Sequence, residues 1–438
     1  MNAHLLHIAD DIARFKPRVV RYGKVTSAVG LTIEATGLKA SLGETYFIHT
    51  AHGKRVQAEV VGIRGENTVL MPMDRGEGLQ NGVLVEPVDA PLTLSISPDM
   101  LGRVLDANLE PIDEGPPIRN GVPCLLHRAA PTPLEREPVN EQIKTGIRAI
   151  DAFISMGKGQ RIGIFAGSGV GKSVTMGMIA RHSSADVNVI ALIGERGREV
   201  QEFIEDSLGP EGLKRSVVIA VTSDRAALAR LKGAYAATAV AEYFRDRGLN
   251  VMLMMDSVTR FSMAQREVGL ASGEPPTSKG YTPSVFATLP QLLERAGRTR
   301  KGSITGLYTV LVDNDDMNEP IADAVRSIVD GHIVLSRSLA NKNHYPAVDV
   351  LQSVSRVMPK VLTDEHRKLA QQVKELMAVH AEAADLINIG AYVKGSNPKI
   401  DDAIKRMDAI TAFLKQDMKD SDFQTDIWKR LKEILGGR

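Results

Sequence analysis

Cysteine is nearly absent: the 438 residues contain one, Cys124. That excludes an internal disulfide framework and any cysteine-rich metal site, and it fits a reducing, cytosolic compartment. Aromatic residues are scarce as well, at 4% with a single tryptophan, which argues against a surface that stacks successive bases of single-stranded nucleic acid. Charge of one sign is not in excess. With 54 basic and 53 acidic side chains the formal net charge is +1, so nothing in the bulk charge points to a polyanionic partner or an acidic tail. No apolar run approaches the ~20 residues needed to cross a bilayer. The first apolar positions, Leu5, Ile8, Ile12 and Phe15, are interrupted by Asp10, Asp11 and Arg14, unlike a secretory leader. The expectation is a soluble intracellular protein, long enough for two or three domains.

Those first apolar residues recur at helical spacing and predict a short amphipathic helix, either packed on its own domain or free to dock a partner. From Arg18 to Val88 six short β-rich runs follow (Arg18 to Val25, Leu31 to Ala35, Thr45 to His49, Val56 to Ile63, Thr68 to Met73, Val83 to Val88), separated by turn residues. They predict a small β-barrel. Without clustered aromatics or a basic stripe, a structural or ring-forming role suits it better than oligonucleotide binding. Seven prolines between Asp99 and Gln142 favour linkers and turns, with Leu101 to Leu105 as one strand or turn entering the next domain. From Thr145 to Arg356 apolar strands (Arg161 to Phe165, Val187 to Ile193, Ser216 to Val221, Asn250 to Met255, Ser303 to Val312, His332 to Leu335) are mostly separated by helical stretches such as Ala226 to Arg247 and Ser284 to Glu294. That pattern predicts a mostly parallel sheet covered on both faces. After Pro359 the chain reads as helical, with starts at Thr363, near Pro398 and at Ser421. The expected domains are 1–92, 93–360 and 361–438.

Chemistry concentrates after the first of those strands. Ala166-Gly167-Ser168-Gly169-Val170-Gly171-Lys172-Ser173 lies between an apolar strand and an apolar helical run, the context a phosphate-binding P-loop needs. Glycines let backbone N–H groups converge on phosphate, Lys172 reaches the outer phosphates and the Ser173 hydroxyl ligates Mg²⁺. The strict pattern opens with glycine, and here that position is Ala166. Asn250 to Met255 is an apolar strand ending in Asp256, a Walker B element whose carboxylate holds the Mg²⁺ shell. Gly194-Glu195-Arg196-Gly197-Arg198-Glu199 follows the strand Val187 to Ile193, which is expected to end beside the P-loop. Glu195 is the candidate general base for the attacking water, with Glu199 as the alternative. A P-loop ATPase commonly needs one further cation on the γ-phosphate. Spacing does not choose among Arg196, Arg260, Arg326, Arg337 and Arg356.

The run Pro346-Ala347-Val348-Asp349-Val350-Leu351-Gln352-Ser353-Val354-Ser355 resembles the signature shared by rotary ATP synthase catalytic subunits and their relatives. The P-loop, the Glu195 motif and Pro283-Ser284-Val285-Phe286-Ala287-Thr288-Leu289-Pro290 resemble the type III secretion branch. Gly390-Ala391-Tyr392, Gly395-Ser396 and Asp315-Asp316-Met317-Asn318-Glu319-Pro320-Ile321-Ala322-Asp323 lean toward the flagellar export ATPases rather than the virulence injectisome forms. The resemblance spans essentially the whole chain. It implies a RecA-like P-loop α/β core with an N-terminal β-barrel and a C-terminal α-helical domain, assembled as a homohexamer that hydrolyses ATP with Mg²⁺.

It further implies catalytic roles for Lys172, Glu195 and Arg196, and for Arg356 as an arginine finger acting on a neighbouring subunit's nucleotide. Gly167, Ser168, Gly169, Val170, Gly171, Lys172, Ser173 and Val174 would bind nucleotide, Tyr345 would pack on adenine, and Ser173 and Asp256 would hold the metal. The opening Ala166 is a variant the branch shares. The implied partners are a stator-like regulator on the Leu5–Phe15 helix, a coiled-coil stalk protein in the pore, export-gate membrane proteins, and export chaperones with their substrates, at the cytoplasmic face of the inner membrane. No nucleic-acid partner is implied. Three rivals stand beside this expectation: an injectisome ATPase, a non-catalytic nucleotide-binding ring subunit, against which Glu195 counts, and an RNA-translocating hexamer, against which the few aromatics count.

Overall fold

The computed structural model of the chain describes residues 21–74, 78–88, 93–312, 316–420 and 426–436. The helix expected over Leu5–Phe15 lies outside the described residues, as does Asp315 of the acidic motif. The chain divides into two compact units, Met1–Pro91 and Leu92–Arg438.

In the first unit six strands, β1 (Gly23–Val29), β2 (Thr32–Thr36), β3 (Thr45–His49), β4 (Arg55–Arg64), β5 (Asn67–Pro72) and β6 (Leu84–Pro87), close into a barrel in the order β1-β2-β5-β4-β3-β6. Alternation supplies the core: Val25, Ile33, Ala35, Ile48, Ala58, Val60, Leu70 and Val85 point inward from successive strands, and closure leaves no unpaired edge. The expected first strand is shifted toward the C-terminus. Its register is set by pairing with β2 across the short turn at Gly30 and Leu31, so the ladder runs on to Val29↔Thr32.

The second unit is built on one sheet. Its strands are β7 (Val104–Leu105), β8 (Arg161–Ala166), β9 (Val187–Ile193), β10 (Ser216–Val221), β11 (Asn250–Asp256), β12 (Ser303–Leu311), β13 (Gly331–Leu335) and β14 (Val348–Ser355). They run in the order β14-β13-β8-β12-β11-β9-β10-β7, with Gly297–Arg298 added antiparallel on β12. All main neighbours are parallel except β14 on β13. Strands such as β9, buried at every position, require cover on both faces. The helices α1 (Lys172–His182), α2 (Ala227–Arg245) and α3 (Val258–Ser272) lie among these strands in sequence. The proline-rich stretch yields one small ribbon, Thr93–Ile96 against Val122–Leu125, and the two-residue β7.

The C-terminal helices start where capping chemistry allows. The Thr363 hydroxyl accepts the His366 N–H at the start of α4 (Asp364–Asn388), and Pro398 opens α5 (Pro398–Leu414) behind an Asn397 cap. The last helix, α6 (Ile427–Ile434), begins later than Ser421. The Asp426 carboxylate accepts the N–H groups of Trp428 and Lys429 and fixes the start there. Ala370, Val373, Ile410, Phe413, Leu414 and Leu431 join the hydrophobic core that also contains Ile162, Ile164, Met176 and Ile179 of β8 and α1. The apolar faces of these helices are therefore buried in a core shared with the nucleotide-site elements, packed on the short helix Arg148–Phe153 and, from α4, on β14.

Candidate active site

β8 ends at Ala166, and the chain turns through five residues into α1, which opens on Lys172 and Ser173. Gly171 sits at the start of α1 with φ 88°, and no side chain caps the helix. A Cβ would resist that backbone conformation, and the uncapped N–H groups face whatever anion binds there. Val170 is buried in the core, so it offers the site backbone only, whereas Val174 is exposed. A cavity of about 630 Å³ lies over the loop, bounded by Gly167, Ser168, Gly169, Gly171, Lys172, Ser173 and Val174, by Glu195, Arg196 and Glu199, by Phe203, Asp206 and Ser207, and by Asp256 and Arg260.

Four charged side chains meet at its floor. Lys172 Nζ donates to Asp256 Oδ1 at 2.5 Å and lies 3.7 Å from Glu195 Oε1. Arg260, in the first turn of α3, donates Nε–H to the same Glu195 oxygen at 3.3 Å. The Thr309 hydroxyl of β12 supports Asp256 Oδ1 at 2.8 Å. β9 is not the neighbour of β8, because β12 and β11 lie between them. It is the carboxyl ends of the strands that converge, as open α/β sheets require.

Burial and the Asp256 charge push the Glu195 carboxyl up to about 7, helped by a hydrogen bond with Glu199 and opposed by Lys172 and Arg260. The same hydrogen bond, before any other influence, holds Glu199 below the ordinary carboxylate range. Glu195 is thus the proton holder of the pair. Burial works against the Lys172 ammonium, but Asp256 and Glu195 together raise its pKa. The Ser173 hydroxyl and the Asp256 carboxylate are hard oxygen donors on the cavity wall. They suit Mg²⁺, which keeps several of its waters and needs few protein ligands. Among the described residues no cluster of three or more His, Cys, Asp or Glu forms a closed metal cage.

The other expected residues fall in different places. Tyr345 is 41% exposed, and a Cβ at Gly171 would lie 3.5 Å from its ring, so it stands against the P-loop. Arg196 borders the cavity with a largely exposed side chain, paired with Glu199 at 3.2 Å. Arg326 pairs with Asp323 at 2.9 Å. Arg356 is exposed and far from this cavity. Its N–H donates to Asp330 O, one step before Gly331, whereas Leu335 is the residue level with Ala166. Five strand steps separate the two levels, roughly 17 Å, more than an arginine side chain spans. Two features had no individual assignment from sequence. Arg260 stood undistinguished among five arginines, although its position four residues beyond Asp256, on a helix starting there, was the available signal. The π-helical turn Phe203–Leu208, which brings Phe203, Asp206 and Ser207 to the wall, left no signal.

Residues 146–355 match the profile of the ATP synthase alpha/beta family, nucleotide-binding domain, residues 25–89 match the beta-barrel domain of that family, and residues 362–433 match the T3SS EscN ATPase C-terminal domain. The chain is 55% identical to the flagellum-specific ATP synthase of Bacillus subtilis over 90% of its length and 91% of the relative's. It is 50% identical to the type 3 secretion system ATPase of Xanthomonas euvesicatoria over 90% of each. Among solved structures, the assembled ATPase EscN of the enteropathogenic E. coli type III secretion system superposes with a TM-score of 0.88 at 43% identity, covering 94% of this chain and all of that one. EscN in complex with its central stalk EscO gives 0.86 at 43% identity, over 94% and 99%. The chain belongs to the ATP synthase alpha/beta family, in the branch of the flagellum-specific ATP synthases and type III secretion ATPases.

Proposed function

We propose that the chain hydrolyses Mg²⁺-bound ATP as one subunit of a homohexameric ring that energises flagellar type III protein export. In this reading residues 93–360 are the ATPase unit, flanked by the barrel (1–92) and the helical region (361–438). The carrying observation is the convergence of Lys172, Asp256, Glu195 and Arg260 under one cavity at the P-loop. The N–H groups of Gly167 to Ser173 bind the phosphates, and Lys172 neutralises the outer ones. Ser173 and Asp256 would hold Mg²⁺, which would supply positive charge against the phosphates. Glu195, once ionised, accepts the proton of the attacking water, and a pKa near neutrality matches that task. Arg260 keeps its carboxylate oriented, Arg196 lies at the rim and Tyr345 packs on adenine.

Arg356 supplies the transition-state cation to a neighbour. Its distance from the site of its own chain, and the assembled state of the EscN relative, support a shared site. The EscO complex of EscN supports a stalk protein as a partner here. The reading adds a stator-like regulator at the Leu5–Phe15 helix, the export gate, chaperones and export substrates, and a place at the cytoplasmic face of the inner membrane.

Steady-state ATPase activity tests it. Turnover is expected to need Mg²⁺, to fall per chain on dilution below the assembly concentration, and to drop at least hundredfold in Glu195→Gln with nucleotide binding retained. Constant specific activity on dilution would refute the shared site, and an active Glu195→Gln would refute the base.

A further inference from the structure

The edge strand β14 does not pair evenly with β13. Val348 and Asp349 lie opposite Leu335 and Val334, and Val354 and Ser355 lie opposite His332 and Gly331. The four residues between Asp349 and Val354 therefore face one residue, Ile333. The surplus is gathered into a compact excursion tied at each step. Asp349 Oδ1 accepts the N–H groups of Leu351 at 3.1 Å and Gln352 at 3.0 Å, and Oδ2 accepts from Gln352 Nε2 at 3.0 Å. The Ser353 hydroxyl donates to Asp349 O at 2.5 Å and accepts the Val334 N–H at 2.9 Å, taking the place of a ladder carbonyl. His332 Nε2 donates to Gln352 O at 3.0 Å.

The excursion sorts its side chains. Val350 and Ser353 are buried, while Leu351 and Val354 are 42% and 43% exposed, and the exposed Arg356 follows Val354 after one buried residue, Ser355. Bulges re-aim side chains on an edge strand, and exposed apolar residues beside a cation form a surface suited to a protein partner. Arg356 is too far from its own P-loop to act there, so the partner that fits this edge is a second copy presenting its nucleotide site.

We propose that Asp349 is a positioning residue for Arg356: by closing the excursion it sets the Leu351–Val354 surface against the neighbouring copy and so aims the arginine at that copy's nucleotide. The inference rests on the reading of Arg356 as a cation acting between chains. Asp349 touches no substrate and acts through this surface. A misplacement of about 1 Å costs roughly a hundredfold in rate, so Asp349→Ala is expected to lower kcat tenfold to about a hundredfold. Asp349→Asn keeps a carbonyl for the two backbone donors and is expected to stay within about fivefold of wild type, the worth of one neutral hydrogen bond.

The test uses the full chain. Binding of a fluorescent ADP analogue, kcat, and activity after mixing with Glu195→Gln are measured for Asp349→Ala, Asp349→Asn and Arg356→Ala. Asp349→Ala should bind the analogue normally, turn over poorly alone, and recover in the mixture as Arg356→Ala does, because the Glu195→Gln chains lend it intact edges. Wild-type turnover in Asp349→Ala, lost analogue binding, or no recovery while Arg356→Ala recovers would overturn the role of Asp349 and leave the shared site standing. If Arg356→Ala itself does not recover, the shared site fails and the inference goes with it.

Discussion

Mixing two inactive variants tests most directly whether each site is completed by a second chain. Glu195 lies at the carboxyl end of the sheet beside its own Lys172, whereas Arg356 lies at the level of Asp330 at the opposite end. In a ring every site then draws Glu195 from one chain and Arg356 from the next. Glu195→Gln alone should lose roughly 10²–10⁴ in kcat, and Arg356→Ala roughly 10³–10⁵. In rings assembled from an equal mixture, a site is intact when its own chain is Arg356→Ala and the chain lending the arginine is Glu195→Gln. Each condition holds half the time, so about a quarter of sites regain both groups if chains enter a head-to-tail ring at random. Phosphate release at fixed total protein should trace a parabola against mole fraction, peaking at equal amounts near a quarter of the wild-type rate. A straight line between the two inactive end points would refute the shared site.

Glu195 and Gly177 give three further outcomes. Glu195 titrates near 7 in the folded chain against an ordinary value of 4.5, raised by burial and then by Asp256. As a base it must be ionised, so kcat/KM should climb about tenfold per pH unit below 7 and level off above it; a flat profile from pH 6 to 8 would remove it as the base. The folded state binds this proton more tightly than the unfolded state. The stabilisation it contributes is present below pH 4.5 and lost as pH rises through about 7, so nucleotide-free Glu195→Gln should melt above wild type at pH 8 and not at pH 5. Gly177, inside α1, is a close-approach site: an added Cβ would fall 2.3 Å from Ser207 O. On an open helix Gly→Ala gains about 1 kcal/mol. Here Gly177→Ala must push the π-helical turn away and should cost about 1–3 kcal/mol, read from the denaturant midpoint, and a rise in stability would refute the contact.

The parts legible in sequence are those set by local pattern. Alternating apolar residues gave away the barrel, solid apolar runs the buried strands, and glycine spacing before Lys172 the P-loop, because each is dictated by chain geometry over a few residues. Asp256 and Glu195 were legible because parallel strands deliver their following residues to one edge. Strand order was not. That β12 and β11 separate β8 from β9 is fixed by pairings between residues far apart in the chain, such as Arg161 with Gly306 and Val187 with Val251. β14 escaped notice because its surplus residues break the two-residue period, and what holds them is the Ser353 hydroxyl bonded to Val334 on another strand. The pairing of Arg260 with Glu195 spans 65 positions, and only the folded sheet selects it from the other arginines.

The separation of Glu195 from Arg356 also bears on which assemblies can work. A two-fold dimer uses one patch twice, so it would need both groups on a single self-complementary surface. Here the nucleotide site opens at one end of the strands and Arg356 leaves the edge strand roughly 17 Å back toward the other. A chain of this shape offers one donor face and one acceptor face. Such faces pair head to tail, and every open chain of copies ends with a site lacking its arginine and an arginine lacking its site. Only closure satisfies all of them, so activity per chain should rise with assembly until the ring shuts and then stop rising. The excursion held by Asp349 lies on the donor face, and loosening it weakens every junction of the ring alike.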